Sequence, residues 1–213
     1  MPQVGDDMLD KFIAKHLSKP KGNSGKVVSF FMNRQNHRIY EKTIDIIAVK
    51  DGESILDMGC GNGYVLNLIA EKHSGHFTGI DISDSIIAAA NRRNKVYINN
   101  GIMKFYCQNL DNMGFSDGTF DKAYTINTVY FWKSLEVAMA EIKRVLRHNG
   151  VFYNTLFSNE TLDRFSFTKN GYKKFSREQL TNAGKDAGFE VEVVPIFKGF
   201  ANCYIYRKTG ERG

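Results

Sequence analysis

Proline is nearly missing from this 213-residue chain: Pro2, Pro20 and Pro195 are the whole complement. Any motif that needs a proline between Pro20 and Pro195 is therefore excluded. Cysteine is almost as scarce. Cys60, Cys107 and Cys203 are odd in number, far apart and form no CxxC pair, which argues against a zinc site or a disulfide framework and suits a reducing compartment. Each is expected to be a small buried apolar residue. No apolar run approaches the length of a membrane span. Met1 to Asp7 carries acidic residues and no apolar core, so it does not read as a signal peptide, and the cytoplasm is the expected location. Neither sign of charge dominates. The net charge of +6 permits an anionic partner without requiring one. The denser basic spots, Lys15 to Lys26, Arg92 to Lys95 and Lys169 to Lys174, read as solvated surface.

What is present is an ordinary globular composition, 42% hydrophobic and 24% charged, in a length that suits one domain with a full core. Apolar positions at helical spacing predict helices over Met8 to Leu17, Val27 to Met32 and Ile39 to Val49. Strand and helix signals then alternate. Strands are predicted near 53–58, 76–81, 102–107, 121–127 and 149–157, with helices near 63–73, 83–96 and 133–147, the pattern of a parallel, doubly wound α/β sheet. Ser176-Arg177-Glu178-Gln179 is a capping-box start for a helix ending near Gly188. Glu190 to Pro195 and Ala201 to Arg207 read as two strands joined by Phe197-Lys198-Gly199.

One stretch carries chemistry: Ile55-Leu56-Asp57-Met58-Gly59-Cys60-Gly61-Asn62-Gly63-Tyr64. A buried strand, a glycine turn and a helix start in that order make a nucleotide-type cradle. The dinucleotide fingerprint would need glycine where Tyr64 stands, and no Gly-Lys-Ser/Thr ending marks a triphosphate loop. Asp57 would repel a pyrophosphate and suits a ligand with a cationic end.

That stretch resembles the first motif of the class I S-adenosylmethionine-dependent methyltransferases. The likeness continues through His76 to Asp81, Asn109 to Asp121 and Glu141 to Gly150, and covers roughly residues 38 to 158. It implies a Rossmann-like seven-stranded sheet with an antiparallel C-terminal hairpin, an N-terminal helical lid over residues 1–37 and a cofactor-binding domain over 38–213. It also implies cofactor contacts from Asp57, Gly59, Cys60, Gly61, Gly63, Asp81, Ile82, Asn109, Leu110 and Asn127. The glycines would admit the cofactor tail, Asp57 would lie near its ammonium, Asp81 would take the ribose hydroxyls, and Asn109 and Leu110 would meet the adenine. Bland readings stand beside these: Asp57 and Asp81 could merely cap backbone groups, and Tyr64 could be helix surface. Asn109 departs from the family's usual Asp, and Asn149-Gly150 from its usual Pro-Gly or Gly-Gly turn before the fifth strand.

Asn127 to Trp132 follows the fourth strand, where open sheets place ligands. Enzymes that methylate amino groups of adenine or glutamine carry Asn/Asp-Pro-Pro-Tyr/Phe there, and the DNA cytosine-C5 class needs Cys after Pro. The missing proline argues against both. Tyr130, Phe131 and Trp132 could be core or could line a substrate pocket. Phe30 to Tyr40 and the connection Ser158 to Phe175 are expected to close over the site. The function implied is methyl transfer to a small-molecule acceptor, with a likeness to quinone- and sterol-methylating members. An RNA methyltransferase and a non-catalytic cofactor binder are the alternatives. If a general base is needed, the candidates are His37, Tyr40 and Tyr130, although His37 also reads as a surface or capping residue. No metal is called for.

Overall fold

The computed structural model describes residues 36–165, 168 and 171–209. The helices expected over Met8 to Leu17 and Val27 to Met32, and all of the expected lid but residues 36 and 37, lie outside the described residues. Helix α1 spans 36–47. The chain continues through β1 (Ser54–Met58), α2 (Tyr64–Ala70), β2 (His76–Asp81), α3 (Asp84–Arg93), α4 (Lys95–Asn99) and β3 (Met103–Cys107). Next come β4 (Phe120–Ile126), a 3-10 turn (Val129–Phe131), α5 (Leu135–Val145), β5 (Leu146–Phe157), α6 (Asn159–Leu162), α7 (Arg177–Asp186), β6 (Phe189–Ile196) and β7 (Ala201–Lys208).

The seven strands form one sheet in the order β3-β2-β1-β4-β5-β7-β6. Strands β1 to β5 run parallel, and β7 lies antiparallel between β5 and β6. From β1 the chain steps outward to β2 and β3, then crosses to β4 on the other side. A crevice therefore opens between the carboxyl ends of β1 and β4, where doubly wound sheets hold their ligands.

Side chains alternate between faces along each strand. Ile55, Phe77, Tyr124, Tyr153 and Ile205 pack under α1, α2 and α3, meeting Ile47, Leu66, Ile69 and Ala90. Leu56, Met58, Ile80, Phe152 and Tyr206 face the other way, under α5 and α7, meeting Met139, Ile142 and Leu180. Burial on both faces is why the central strands read as continuous apolar runs. A hydrogen bond of 3.1 Å between the Thr43 and Thr155 hydroxyls ties α1 to β5. Helix α7 has both arms of its capping box, Gln179 N–H to Ser176 Oγ at 3.1 Å and Ser176 N–H to Gln179 Oε1 at 2.8 Å.

Two local expectations change. Asn149, at φ 61, lies inside β5 and not in a turn before it. Leu146 pairs with Phe120 and Val151 with Lys122, so the extra residues form a bulge. The helix expected over 83–96 breaks at Asn94, whose buried amide donates to Gly63 O at 3.2 Å and Ala90 O at 3.0 Å.

Gly184 tests the packing under α7. A Cβ there would lie 2.4 Å from the ring of Tyr206, a fully buried side chain. Helix propensity alone would make Gly184→Ala stabilising by about 0.5–1 kcal/mol. The clash outweighs it, so urea unfolding is expected to show a loss of about 1–3 kcal/mol. A gain in stability would show that the ring yields.

Candidate active site

The glycine loop is fixed by the end of β2. Gly59 N–H and Cys60 N–H both donate to Ile80 O, at 2.8 and 2.9 Å. Gly61 N–H donates to Asp81 Oδ2 at 3.3 Å, and Ser83 N–H to Asp81 Oδ1 at 3.0 Å. The Asp81 carboxylate therefore braces the loop and the start of α3 together. Burial still raises its pKa against these bonds. Ile82 beside it is 54% exposed, a large apolar side chain left uncovered at the crevice. A Cβ on Gly59 would strike Thr128 at 2.5 Å, whereas one on Gly61 would meet nothing within 4 Å. Gly61 also has φ +53, and its Cα faces open space at the loop's crest. Gly63 is wedged against Asn94 and Phe105. Asn94 thus supports the loop, a role that sequence reading missed because its contact with Gly63 is long-range.

Cys60 is buried in the loop, and burial holds its thiol far from ionisation, which makes it an apolar filler. Cys107 is exposed and Cys203 buried, so the expected burial fails for Cys107. Among the described residues, no group of three or more His, Cys, Asp or Glu side chains could hold a metal ion.

Asp57 is buried on the α1 side of β1 and accepts a 2.8 Å bond from the Tyr124 hydroxyl. Desolvation pushes its pKa up to about 7, against the lowering effect of that bond and with help from the Asp81 charge. Tyr40, also buried, is pushed up to about 12 by desolvation, so it keeps its proton at neutral pH. Asn109 is exposed, and its amide folds onto Asp111: Oδ1 accepts Asp111 N–H at 3.1 Å and Nδ2 donates to Asp111 Oδ2 at 3.3 Å. Leu110 is half-buried against the core.

Asn127, at the carboxyl end of β4, has φ 57, a strained conformation for a residue other than glycine. Its Oδ1 accepts from Phe157 N–H at 3.1 Å and from the Tyr130 hydroxyl at 3.1 Å. Tyr130 in turn accepts from Phe157 N–H at 2.8 Å. Its hydroxyl is thereby engaged on both sides, and burial drives its pKa well up. Tyr130 is a positioning residue in this geometry. Trp132 is core and donates to Thr128 Oγ1 at 3.3 Å, while Phe131 stays half-buried with its ring 4.9 Å from that of Tyr172.

His37 has partners that sequence reading did not assign. Its Nδ1 is 3.1 Å from the Tyr64 hydroxyl, and its Nε2 is 3.4 Å from Glu41 Oε1. The i,i+4 spacing of His37 and Glu41 on one helix was legible; the contact with Tyr64 was not. The Arg93 guanidinium lies over the Tyr64 ring, 5.2 Å from its centroid.

Asp57 makes a pH test. Its folded-state pKa lies above the unfolded value, so its protonated form favours folding. That contribution is complete below about pH 4 and is lost as pH climbs to about 7. Asp57→Asn keeps the acceptor for Tyr124 and cannot ionise. In urea unfolding, the variant is expected to lose the decline between those pH values and to exceed the wild type at pH 8, by ~4 kcal/mol at the upper bound. An unchanged pH profile would contradict the assignment.

The methyltransferase domain family matches residues 56–154. The chain is 35% identical over 116 residues to 24-methylenesterol C-methyltransferase 3 of Arabidopsis thaliana, covering 54% of this chain and 32% of that protein. It is 32% identical over 117 residues to the putative methyltransferase YrhH of Bacillus subtilis, covering 54% of this chain and 64% of that protein. It thus spans from about a third to just under two thirds of the length of these relatives. A SAM dependent methyltransferase from Aquifex aeolicus superposes with a TM-score of 0.72 over 89% of this chain and 100% of that one, at 17% identity, a likeness of fold. Together with the glycine loop and the Asp81 brace, these matches support a class I S-adenosylmethionine-dependent methyltransferase, with S-adenosylmethionine as the cofactor.

Proposed function

We propose that this chain transfers the methyl group of S-adenosylmethionine to a small, largely apolar acceptor. The observation that carries the reading is the open crest at Gly61, braced from below by the Asp81 carboxylate. Bound there, the cofactor supplies an electrophilic methyl group on a sulfonium. Asp81 has lone pairs left after its backbone bonds and takes the ribose hydroxyls. Ile82 and Leu110 pack on the adenine, and Asn109 lies beside them. Gly59, Cys60, Gly61 and Gly63 shape the cradle for the amino-acid tail, with Asp57 on the side of its ammonium.

The chain's own work is alignment and water exclusion, which can lower a barrier by at most about 7–11 kcal/mol. Rings at the crevice support an apolar acceptor: Phe157 lies 5.4 Å from Phe200 and 6.1 Å from Phe165, next to the Phe131 and Tyr172 pair. Where the acceptor arrives protonated, His37 is the candidate base, since Tyr40 holds its proton and Tyr130 is engaged. Three free thiols suit a reducing compartment, and we place the reaction in the cytoplasm.

The test is to incubate the chain with methyl-tritiated cofactor and either a small-molecule extract of cells or total RNA. Label in the extract and not in RNA is expected; label in RNA alone, or in neither, overturns the reading. Gly61→Ala sharpens it. The new Cβ meets no protein atom, so folding should suffer only the left-handed strain of about 1–2 kcal/mol. Affinity for S-adenosylhomocysteine, measured by calorimetry, should fall at least tenfold, roughly 1.4 kcal/mol or more. Unchanged affinity would remove the loop from the site.

A further inference from the structure

Glu141 and Arg144 on α5 reach into the connection between β3 and β4. That connection, residues 108–119, is neither helix nor strand, yet it carries Asn109 and Leu110. Its ends are tied by backbone bonds. Gln108 N–H donates to Asp81 O at 3.0 Å, and the N–H groups of Gly118 and Thr119 donate to Arg144 O and Val145 O at 2.9 and 2.8 Å. Its middle is held by side chains. A guanidinium has five N–H donors in one plane, and in Arg144 each has an acceptor. Nε and Nη2 donate to the two Glu141 oxygens at 2.8 and 2.7 Å. Nη2 also donates to Met113 O at 2.9 Å, and Nη1 donates to Phe115 O and Asp117 Oδ1, each at 2.7 Å. Glu141 Oε1 in turn accepts from Met113 N–H at 2.6 Å. The Arg144 bonds hold the Glu141 carboxyl below the usual carboxylate range, so the pair is charged at neutral pH. Met113 is buried, and Phe115 packs edge-on against Tyr106 and Phe120, with ring centroids 5.7 and 5.1 Å apart.

We propose that Arg144 is a positioning residue for cofactor selectivity: through Met113 and Phe115 it fixes the loop that presents Asn109 and Leu110 to the base, and so sets the preference for adenine from behind. The inference rests on the methyltransferase reading. With all five N–H groups engaged, Arg144 has none left for the cofactor itself, so it acts through the loop. Asn109 Oδ1 accepts from Asp111 N–H at 3.1 Å and keeps a second lone pair, which suits the 6-amino group of adenine. A 6-oxo base would set oxygen against that oxygen, a repulsion that selects. Hydrogen bonds weaken steeply with misalignment, so a loop free to shift loses this selectivity first. Asn109 is exposed, and its side chain bonds to Asp111 within the same loop. Its placement therefore comes from the fixed points on either side, Gln108 against Asp81 and Met113 against the Glu141 and Arg144 pair. A lysine cannot stand in, because one nitrogen cannot span Met113 O, Phe115 O and both Glu141 oxygens as the planar fork does.

S-adenosylhomocysteine and S-inosylhomocysteine form a matched pair of probes, differing in a 6-amino against a 6-oxo group on the base. Their dissociation constants are measured by calorimetry for the wild type, Arg144→Lys, Glu141→Gln and Gly184→Ala. The wild type is expected to favour S-adenosylhomocysteine about tenfold, the worth of one net hydrogen bond. Arg144→Lys is expected to lose most of that preference. Glu141→Gln turns an amide donor toward the guanidinium and is expected to change it in the same direction, so it decides the matter where the lysine variant does not fold. Gly184→Ala is the control for lost stability alone. Its strain falls on Tyr206 and Val191, and it is expected to keep the full preference. Equal binding of the two probes by the wild type overturns the proposal. So does a preference that survives in folded Arg144→Lys, even with both ligands weakened, since Arg144 would then be a brace for the fold only. A preference lost equally in Gly184→Ala also overturns it, because selectivity would then follow stability. Failure of the wild type to bind S-adenosylhomocysteine at all would count against the methyltransferase reading itself, and it shows before any variant is compared.

Discussion

The end of β2 holds the site together. One carbonyl, that of Ile80, accepts from both Gly59 and Cys60, and the next side chain, Asp81, accepts from Gly61 and Ser83. Four amides of two neighbouring loops are thus satisfied within two residues of one strand. This matters because loop amides at a crevice have no sheet or helix to pair with, and burying them unpaired is costly. The parallel register of β1 against β2, with Met58 opposite Ile80, brings the loop within reach of that carbonyl. Sheet topology, loop shape and the position of the candidate ribose ligand follow from one set of contacts.

Around this brace the chain spends stability on polar groups kept away from water. Asp57 stays buried with one hydroxyl donor, Asn127 stays strained at φ 57, and Tyr130 is spent on fixing Asn127. Core positions this close to the crevice could have been apolar. Local departures from folding consistency are expected where a site is built, and these fall at the carboxyl ends of β1 and β4, where the switch in strand order opens the sheet.

Much of this was legible in the sequence. The parallel strands show as apolar runs because both faces are covered, and the glycine spacing with Tyr64 and Asp57 separated this loop from dinucleotide and triphosphate cradles. Ser176 and Gln179 declared their capping box outright. What could not be read depends on partners far along the chain. Asn149-Gly150 has the composition of a turn, and only pairing with Phe120 and Lys122 makes it a bulge. Asn94 looks like any residue of a continuing helix until Gly63 O is placed above it. Tyr130 resembles a candidate base, and its engagement with Phe157 and Asn127 appears only once β5 lies beside β4. His37 could have been paired with Glu41 by spacing, but its contact with Tyr64 needs α1 laid across α2.

The central claim is that the loop from Gly59 to Gly63, braced by Asp81, holds S-adenosylmethionine. The most direct measurement is calorimetric titration of the chain with S-adenosylmethionine and S-adenosylhomocysteine, with NAD as the control. Saturable binding of both adenosyl ligands in the micromolar range and no heat from NAD is the predicted result. NAD binding, or no binding of either adenosyl ligand, would contradict it.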